Sequence, residues 1–194
     1  MIVSDWVWDE ETYPNCFLFA ITRADGQFTQ VFECSDRRND IARIIACFRY
    51  MKENNQTMFG FNSLGFDYPI AHDTFLKNPE RYEKMSGALI AKALYEAAQN
   101  QIESMRGRFP KTIPERDHQA PQADLYKIWH FDNAAKATGL KMIEFNMRAH
   151  NIEDLPYPVG TYLTHEQMDN LRTYNLHDVE MTRQFYLKSN FCSS

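Results

Sequence analysis

Near the end of the chain, from Thr164 to about Lys188, apolar residues recur at the helical period, and one position on that stripe is a carboxylate. Leu171, Tyr174, Asp178, Met181 and Phe185 are spaced three, four, three and four apart, which places all five on one face of a long amphipathic helix. Thr164 and Gln167 stand at its start as a capping box. An unpaired Asp aimed at a core costs on the order of several kcal/mol, so a cation or a donor has to meet Asp178 there. Tyr174 lies one turn earlier on the same face, within reach of whatever Asp178 holds. The pattern alone leaves a plainer reading open, in which Asp178 pairs with a Lys or Arg and Tyr174 is ordinary core.

Two earlier segments bring further acids. Val3 to Trp8 is rich in β-branched and aromatic residues and reads as a strand; Asp9 and Glu11 are two apart, so continued extended backbone points both to one face. Like charges held that close raise one another's pKa, and a divalent cation relieves them. The alternative is a solvated acidic strand end before Tyr13-Pro14-Asn15. In the second segment an apolar run, Thr57 to Phe61, leads into a turn from Asn62 to Gly65 and a helix opening near Phe66 to Pro69. Pro69 fits a first helical turn, where its missing N–H is not needed. Asp67 there is either a helix cap or a ligand at a strand end, as Asp9 is expected to be.

In order along the chain, Asp9-x-Glu11, Asn62-x-x-x-Phe66-Asp67 and Tyr174-x-x-x-Asp178 resemble the three motifs of the DEDD, or DnaQ-like, 3′→5′ exonuclease superfamily. The resemblance is to the tyrosine subtype found as proofreading domains of family A and family B DNA polymerases; a histidine subtype would place His where Thr173 stands. Glu11-Thr12-Tyr13-Pro14-Asn15, and the stretch from Asp124-Leu125 through Leu155-Pro156, narrow the likeness to bacteriophage replication polymerases.

This resemblance implies an α/β protein of ribonuclease H-like fold, with a mixed central sheet of antiparallel hairpins plus parallel strands flanked by helices. It implies a single exonuclease domain over residues 1–194, standing alone or forming the N-terminal part of a polymerase. It also implies two divalent cations, about 3.5 to 4 Å apart, with Asp9, Glu11 and Asp178 holding one and Asp9 and Asp67 the other, Asp67 through water. Oxygen-only ligands favour Mg²⁺ or Mn²⁺ over Zn²⁺. Tyr174 would orient the attacking water and Glu11 would also contact the terminal 3′-hydroxyl. Thr12, Asn62 and Phe66 would touch the substrate strand, Phe66 by packing on a sugar or base, unless it is core. Lys141 is a candidate for the lysine that some family B exonucleases carry between the second and third motifs; an exposed helix lysine is the other reading.

The substrate implied is the 3′ end of single-stranded or frayed DNA, released as nucleoside 5′-monophosphates, with a polymerase domain as partner in cis or in trans. An exoribonuclease is the rival enzyme, since the same site can trim RNA and selectivity rests on 2′-hydroxyl contacts. An inactive nucleic-acid-binding or docking domain is the rival from another class, and the intact Asp9, Glu11, Asp67, Asp178 and Tyr174 speak against it.

Composition sets bounds on these readings. With 194 residues, 44% of them hydrophobic, the chain can bury one real core. Cys16, Cys34, Cys47 and Cys192 form no Cys-x-x-Cys pair, which points away from a zinc ribbon or disulfide framework and toward a reducing, cytoplasmic setting, the host cytoplasm if the chain is viral. No apolar run approaches the ~18 residues of a membrane helix, and no membrane partner is expected. A net charge of −5 argues against a general DNA-coating protein, because sequence-independent affinity comes from Lys and Arg on phosphates. Locally, Arg106, Arg108, Lys111 and Arg116, mixed with Gly107, Pro110 and Pro114, read as a mobile basic loop, either a strand-guiding flap or a solvated connector.

The remaining pattern predicts strands at Met1 to Asp9, Cys16 to Arg23 and Gln27 to Cys34, the last two joined by an Asp25-Gly26 hairpin turn. A helix from Arg37 to Asn54 presents Ile41, Ile44, Ile45 and Phe48 on one face before the strand at Thr57. Further helices are expected over Tyr68 to Lys77, Ser86 to Met105, Asp132 to Gly139 and Lys141 to Arg148, with a short strand from Gln122 to Ile128 and a loop from Asn146 to Gly160.

Overall fold

Three apolar, β-rich segments form an antiparallel meander in the computed structural model, which describes residues 5–132 and 155–191. β1 (Trp6–Tyr13) turns at Pro14-Asn15 into β2 (Cys16–Arg23), and β2 returns through Asp25-Gly26 to β3 (Thr29–Ser35). Gly26 takes a φ of +74°, the left-handed conformation that a residue without Cβ enters freely. Helix α1 (Ile41–Glu53) then leads to β4 (Met58–Gly60), which lies parallel to β1 on its other side. Next come α2 (Asp67–Ala71), continued by a π-helical turn (His72–Leu76), then α3 (Pro79–Glu83), α4 (Gly87–Arg106) and a 3₁₀ turn (Glu115–Asp117). β5 (Gln122–Asp124) adds parallel to β4, and α5 (Leu125–Asp132) and α6 (His165–Phe191) complete the described elements. The protein is therefore mixed α/β, with a five-stranded sheet in the order β3-β2-β1-β4-β5 and β1 at its centre.

Alternation along β1 sends Val7, Asp9, Glu11 and Tyr13 to one face and Trp8, Glu10 and Thr12 to the other. α6 covers the first face, burying Val7, Leu18 and Ala20 against Leu171, Val179 and Tyr186. On the second face Trp8, Phe19 and Phe48 pack with Leu94 of α4 and Phe75. Both faces of the sheet are thus dry, and the central strand carries three successive acids between them. Among the described residues no helix is long and apolar enough to cross a membrane, and Cys16, Cys34 and Cys47 are free thiols.

Several boundaries differ from expectation for identifiable reasons. β1 runs on to Tyr13 because the ladder continues to the Tyr13–Cys16 pair, so Asp9 lies within the strand and opposite Ala20 rather than at its end. α1 begins at Ile41, not Arg37, because the preceding segment folds back on β3: the Ser35 N–H donates to the Arg38 carbonyl and the Glu33 N–H to the Asp40 carboxylate. The strand expected through Ile128 stops at Asp124, whose carboxylate accepts the Tyr126 N–H at 3.0 Å and turns the chain into α5. On α6 the buried residues are Met168, Leu171, Asn175, Val179, Phe185 and Tyr186, so Leu171 and Phe185 of the expected stripe are interior while Met181 is 40% exposed. Tyr174 and Asp178 consequently sit on the margin of the buried face, half-covered. Lys141, and the helices expected from Asp132 to Arg148 apart from Asp132 itself, fall outside the described residues.

One glycine is required by contact. Gly87 opens α4 just after Ser86, whose hydroxyl accepts the Leu89 N–H, and a Cβ there would stand 2.2 Å from the Arg38 carbonyl oxygen and 2.3 Å from that of Ser35. Backbone on both sides cannot give way as a side chain can, so Gly87→Ala is expected to cost about 3 kcal/mol, read as a lower urea midpoint. An unchanged midpoint would mean that α4 does not approach the β3–α1 corner this closely.

Candidate metal centre

Two elements far apart in sequence build this centre. β1 presents Asp9 and Glu11 toward α6, and α6 presents Asp178. One carboxylate oxygen from each of these three residues lies within 4.8 Å of the other two. The placement of α6 is itself explained by local contacts. Its capping box is formed, the Thr164 N–H donating to Gln167 Oε1 at 2.9 Å and the Gln167 N–H to Thr164 Oγ1 at 3.2 Å. Asn15, in the β1–β2 turn, clamps the helix entrance by donating to the Leu163 carbonyl and accepting its N–H, at 2.9 and 2.8 Å. Farther along, fully buried Glu33 of β3 accepts from Arg172 of α6 at 3.1 Å and from Arg37 at 2.7 Å, and Arg37 reaches Asp169 at 2.8 Å.

The electrostatics follow from packing like charges in a dry place. Burial, followed by the charges of Glu11, Asp67, Asp178 and Glu10, pushes the Asp9 carboxyl well above the usual range. Burial, then Asp178 and Asp67, does the same to Glu11. Asp178 is pushed up to about 6 by burial, opposed by a hydrogen bond from the Tyr174 hydroxyl. That phenol is raised far above its ordinary value by burial and the carboxylates around it, so at neutral pH it keeps its proton and donates. Among the described residues the side chain that donates to Asp178 is thus a tyrosine. Three converging carboxylates with raised proton affinity form an oxygen-only donor set that could hold a divalent cation of the Mg²⁺ or Mn²⁺ type.

Asp67 approaches from another side. It is buried in the first turn of α2, and its charge acts on Asp9, Glu10 and Glu11, although it is not one of the three oxygens within 4.8 Å. Burial and the neighbouring Asp124 raise its carboxyl. Asn62 holds a φ of +55° at the start of the turn before α2. Phe66 is half-buried and packs partly against the core on the α4 side. Thr12 alternates to the face opposite Asp9 and Glu11. The basic segment after α4 is anchored through Lys111, whose N–H donates to Ser104, whose ammonium pairs with Asp73 and whose carbonyl accepts from Gln101, and Ile113 packs against the core.

Four residues near the centre were not identified from sequence. Asn175, fully buried on α6, donates to Asp9 Oδ2 at 2.8 Å and fixes that carboxylate. Its only sequence signal is its place three residues before Asp178, which puts it on a neighbouring line of the same helix. Asp124, at the end of β5, accepts the N–H groups of Asn62 and Leu64 at 2.9 and 3.1 Å and so shapes the turn that carries Asp67. Gln101 of α4 donates to the Gly65 carbonyl at 2.7 Å and braces the same turn. Glu10 faces away from Asp9 and Glu11, buried, its carboxyl raised by burial and by Asp67. The contacts of Asp124 and Gln101 with the turn have no local signature.

Buried carboxylates of raised pKa have a definite consequence. Their folded pKa exceeds the unfolded value, so the folded state holds their protons longer, and stability falls as pH rises from the unfolded value, about 4, through the folded one. For Asp178 that window closes near 6. In EDTA, melting temperature is expected to fall between pH 4.5 and 6.5, less steeply in Asp178→Asn, and Mn²⁺ at pH 7.5 is expected to restore several degrees to the wild type only. Parallel pH profiles for the two proteins would refute the clustering.

Fold and site together define a mixed α/β protein with a partly buried carboxylate cluster between the central strand of its sheet and its longest described helix. In comparisons with known protein families, curated proteins and solved structures, nothing matches the chain.

Proposed function

We propose that this chain is a metal-dependent 3′→5′ exonuclease of the tyrosine-type DEDD class, with a ribonuclease H-like fold, acting on the 3′ end of single-stranded or frayed DNA. The observation that carries this reading is the approach of Asp9, Glu11 and Asp178 to within 4.8 Å, with the Tyr174 hydroxyl bonded to Asp178. The sheet order, an antiparallel meander joined to two parallel strands, is compatible with that fold.

Asp9, Glu11 and Asp178 would hold one divalent cation, and Asp67 with Asp9 a second. Such cations, when bound, neutralise charge on the scissile phosphate and ease deprotonation of the attacking water. Tyr174 supplies a hydroxyl beside Asp178 that orients that water rather than deprotonating it, since a phenol of raised pKa stays protonated at neutral pH. Asn175 holds Asp9 in one rotamer, and Asp124 and Gln101 keep the Asp67 turn in shape. Hydrolysis joins the water oxygen to phosphorus and breaks the bond to the 3′-oxygen of the preceding nucleotide, which takes up a proton as the 5′-monophosphate leaves.

A time course on 5′-labelled single-stranded DNA and matched RNA, with Mg²⁺, Mn²⁺ or EDTA, tests the proposal. A metal-dependent ladder shortening from the 3′ end of DNA is the expected result. Faster trimming of RNA would make the chain an exoribonuclease, and binding with no turnover in either metal would make it a docking domain. Tyr174→Phe is expected to slow the ladder about tenfold to a hundredfold, the worth of one hydrogen bond to a charged group, while leaving the Mn²⁺ effect on melting intact.

A further inference from the structure

A cleft of about 660 Å³ opens between the end of α1, the π-helical turn after α2 and the segment that leads into β5. It lies at the end of the sheet where β4 and β5 begin: Lys52 precedes Met58 and Gln119 precedes Gln122, whereas Asn62 and the Asp67 turn follow the opposite end of β4. None of the clustered carboxylates lines it.

Its charge runs against that of the whole molecule. The chain carries a net −5, yet the cleft gathers Lys52, Lys77 and Arg116 with the imidazoles of His118 and of His72, which lies 3.3 Å from Asp73, and Asp117 is the one acid in its lining. Among the described residues Arg116 pairs only with its neighbour Asp117, at 3.9 Å, and Lys52 and Lys77 have no ion-pair partner. The wall that carries the charges is held in place. The Gln119 N–H donates to the hydroxyl of buried Tyr68 at 2.7 Å, the His118 ring packs edge-on against the Tyr68 ring at 4.8 Å, and His118 Nε2 lies 3.1 Å from the Ile113 carbonyl. Cations converging on a concave surface repel one another and focus a positive potential, which successive backbone phosphates relieve.

We propose that this cleft binds the backbone phosphates of a nucleic-acid strand, as a second contact separate from the carboxylate cluster. The choice of nucleic acid as the anion rests on the exonuclease reading; the charge and shape of the cleft do not. The test is fluorescence anisotropy with a labelled single strand of about 30 nucleotides, in EDTA so that nothing is cut, over a salt series. In Lys52→Gln/Lys77→Gln the affinity at low salt is expected to fall about tenfold, and the salt dependence of log K to flatten by about 1.4, from ~0.7 per phosphate contact on a single strand. Lys92→Gln, an exposed lysine of α4 outside the cleft, is expected to leave affinity and slope close to those of the wild type, and thermal melts check that the double variant is folded. An unchanged affinity and slope in both Lys52→Gln/Lys77→Gln and Lys52→Glu/Lys77→Glu would overturn the proposal. Inorganic phosphate displacing the strand as well as an oligonucleotide of equal phosphate content would also overturn it, by showing an isolated anion pocket. Weaker binding by the variants alongside a wild type that never hydrolyses DNA would leave the cleft standing and remove the exonuclease reading.

Discussion

Asp9→Asn is expected to cut 3′→5′ hydrolysis about a thousandfold or more while making the metal-free protein harder to melt. Both effects have the same cause. Asp9 lies with Glu11 and Asp178 in the cluster and also feels the charges of Asp67 and Glu10, so it is the carboxylate whose loss most weakens the cluster's hold on a cation. Cation stabilisation of a phosphoryl transition state contributes several kcal/mol, and each ~1.4 kcal/mol is a factor of ten in rate. Without metal the same charge is repelled by Glu11, Asp67, Asp178 and Glu10, and an amide of equal shape removes that repulsion. Asn175, which now donates to Asp9 Oδ2, can still meet the amide oxygen. Initial rates on 5′-labelled DNA and melts in EDTA check the pair of effects. A variant that keeps its rate, or that melts lower in EDTA than the wild type, would contradict the carboxylate-cluster account.

Glu33→Ala is expected to destabilise the fold by about 3 kcal/mol and to damage the site from a distance. Glu33 is wholly buried on β3 and accepts bonds from Ser35, Arg37 and Arg172, which ties α6 to the sheet edge. Breaking a buried ion pair costs roughly 3 to 5 kcal/mol, and the lower figure applies because Arg37 and Arg172 retain about a fifth of their side-chain surface in water. Burial pushes the Glu33 carboxyl up, but the bonds from Arg37 and Ser35 and the charges of Arg37 and Arg172 pull it lower still, below the usual range. Because its folded pKa is depressed, its contribution is complete above the unfolded value, about 4.3, and is lost as pH falls through the folded one. Urea titrations are therefore expected to show a constant gap between wild type and Glu33→Ala from pH 5 to 8 that narrows in acid. A gap that is absent at pH 7 would mean that the network does not anchor α6.

The two sets of carboxylates thus give the protein opposite pH responses. The Glu33 network strengthens the fold as pH rises, and the metal-free cluster weakens it. Divalent cation is expected to remove the second response and leave the first.

Local chemistry in the chain determined much of this arrangement. Period-two alternation put Asp9 and Glu11 on one side of a strand, Asp25-Gly26 made a hairpin, and Thr164 with Gln167 started a helix on which Tyr174 and Asp178 are neighbours. These outcomes depend on residues within a turn or a pleat of one another, where sterics and hydrogen bonding leave few choices. Tertiary packing decided the rest. A helical stripe can be rotated by one residue without losing its periodicity, and docking on β1 and β2 chose Asn175 and Val179 for the interior and left Met181 at the surface. The contacts that hold Asp9, the Asp67 turn and α6, from Asn175, Asp124 and Arg172, join residues 166, 62 and 139 positions apart. No local propensity specifies such pairs, because a side chain's partner across the fold exists only once the sheet and helices have packed.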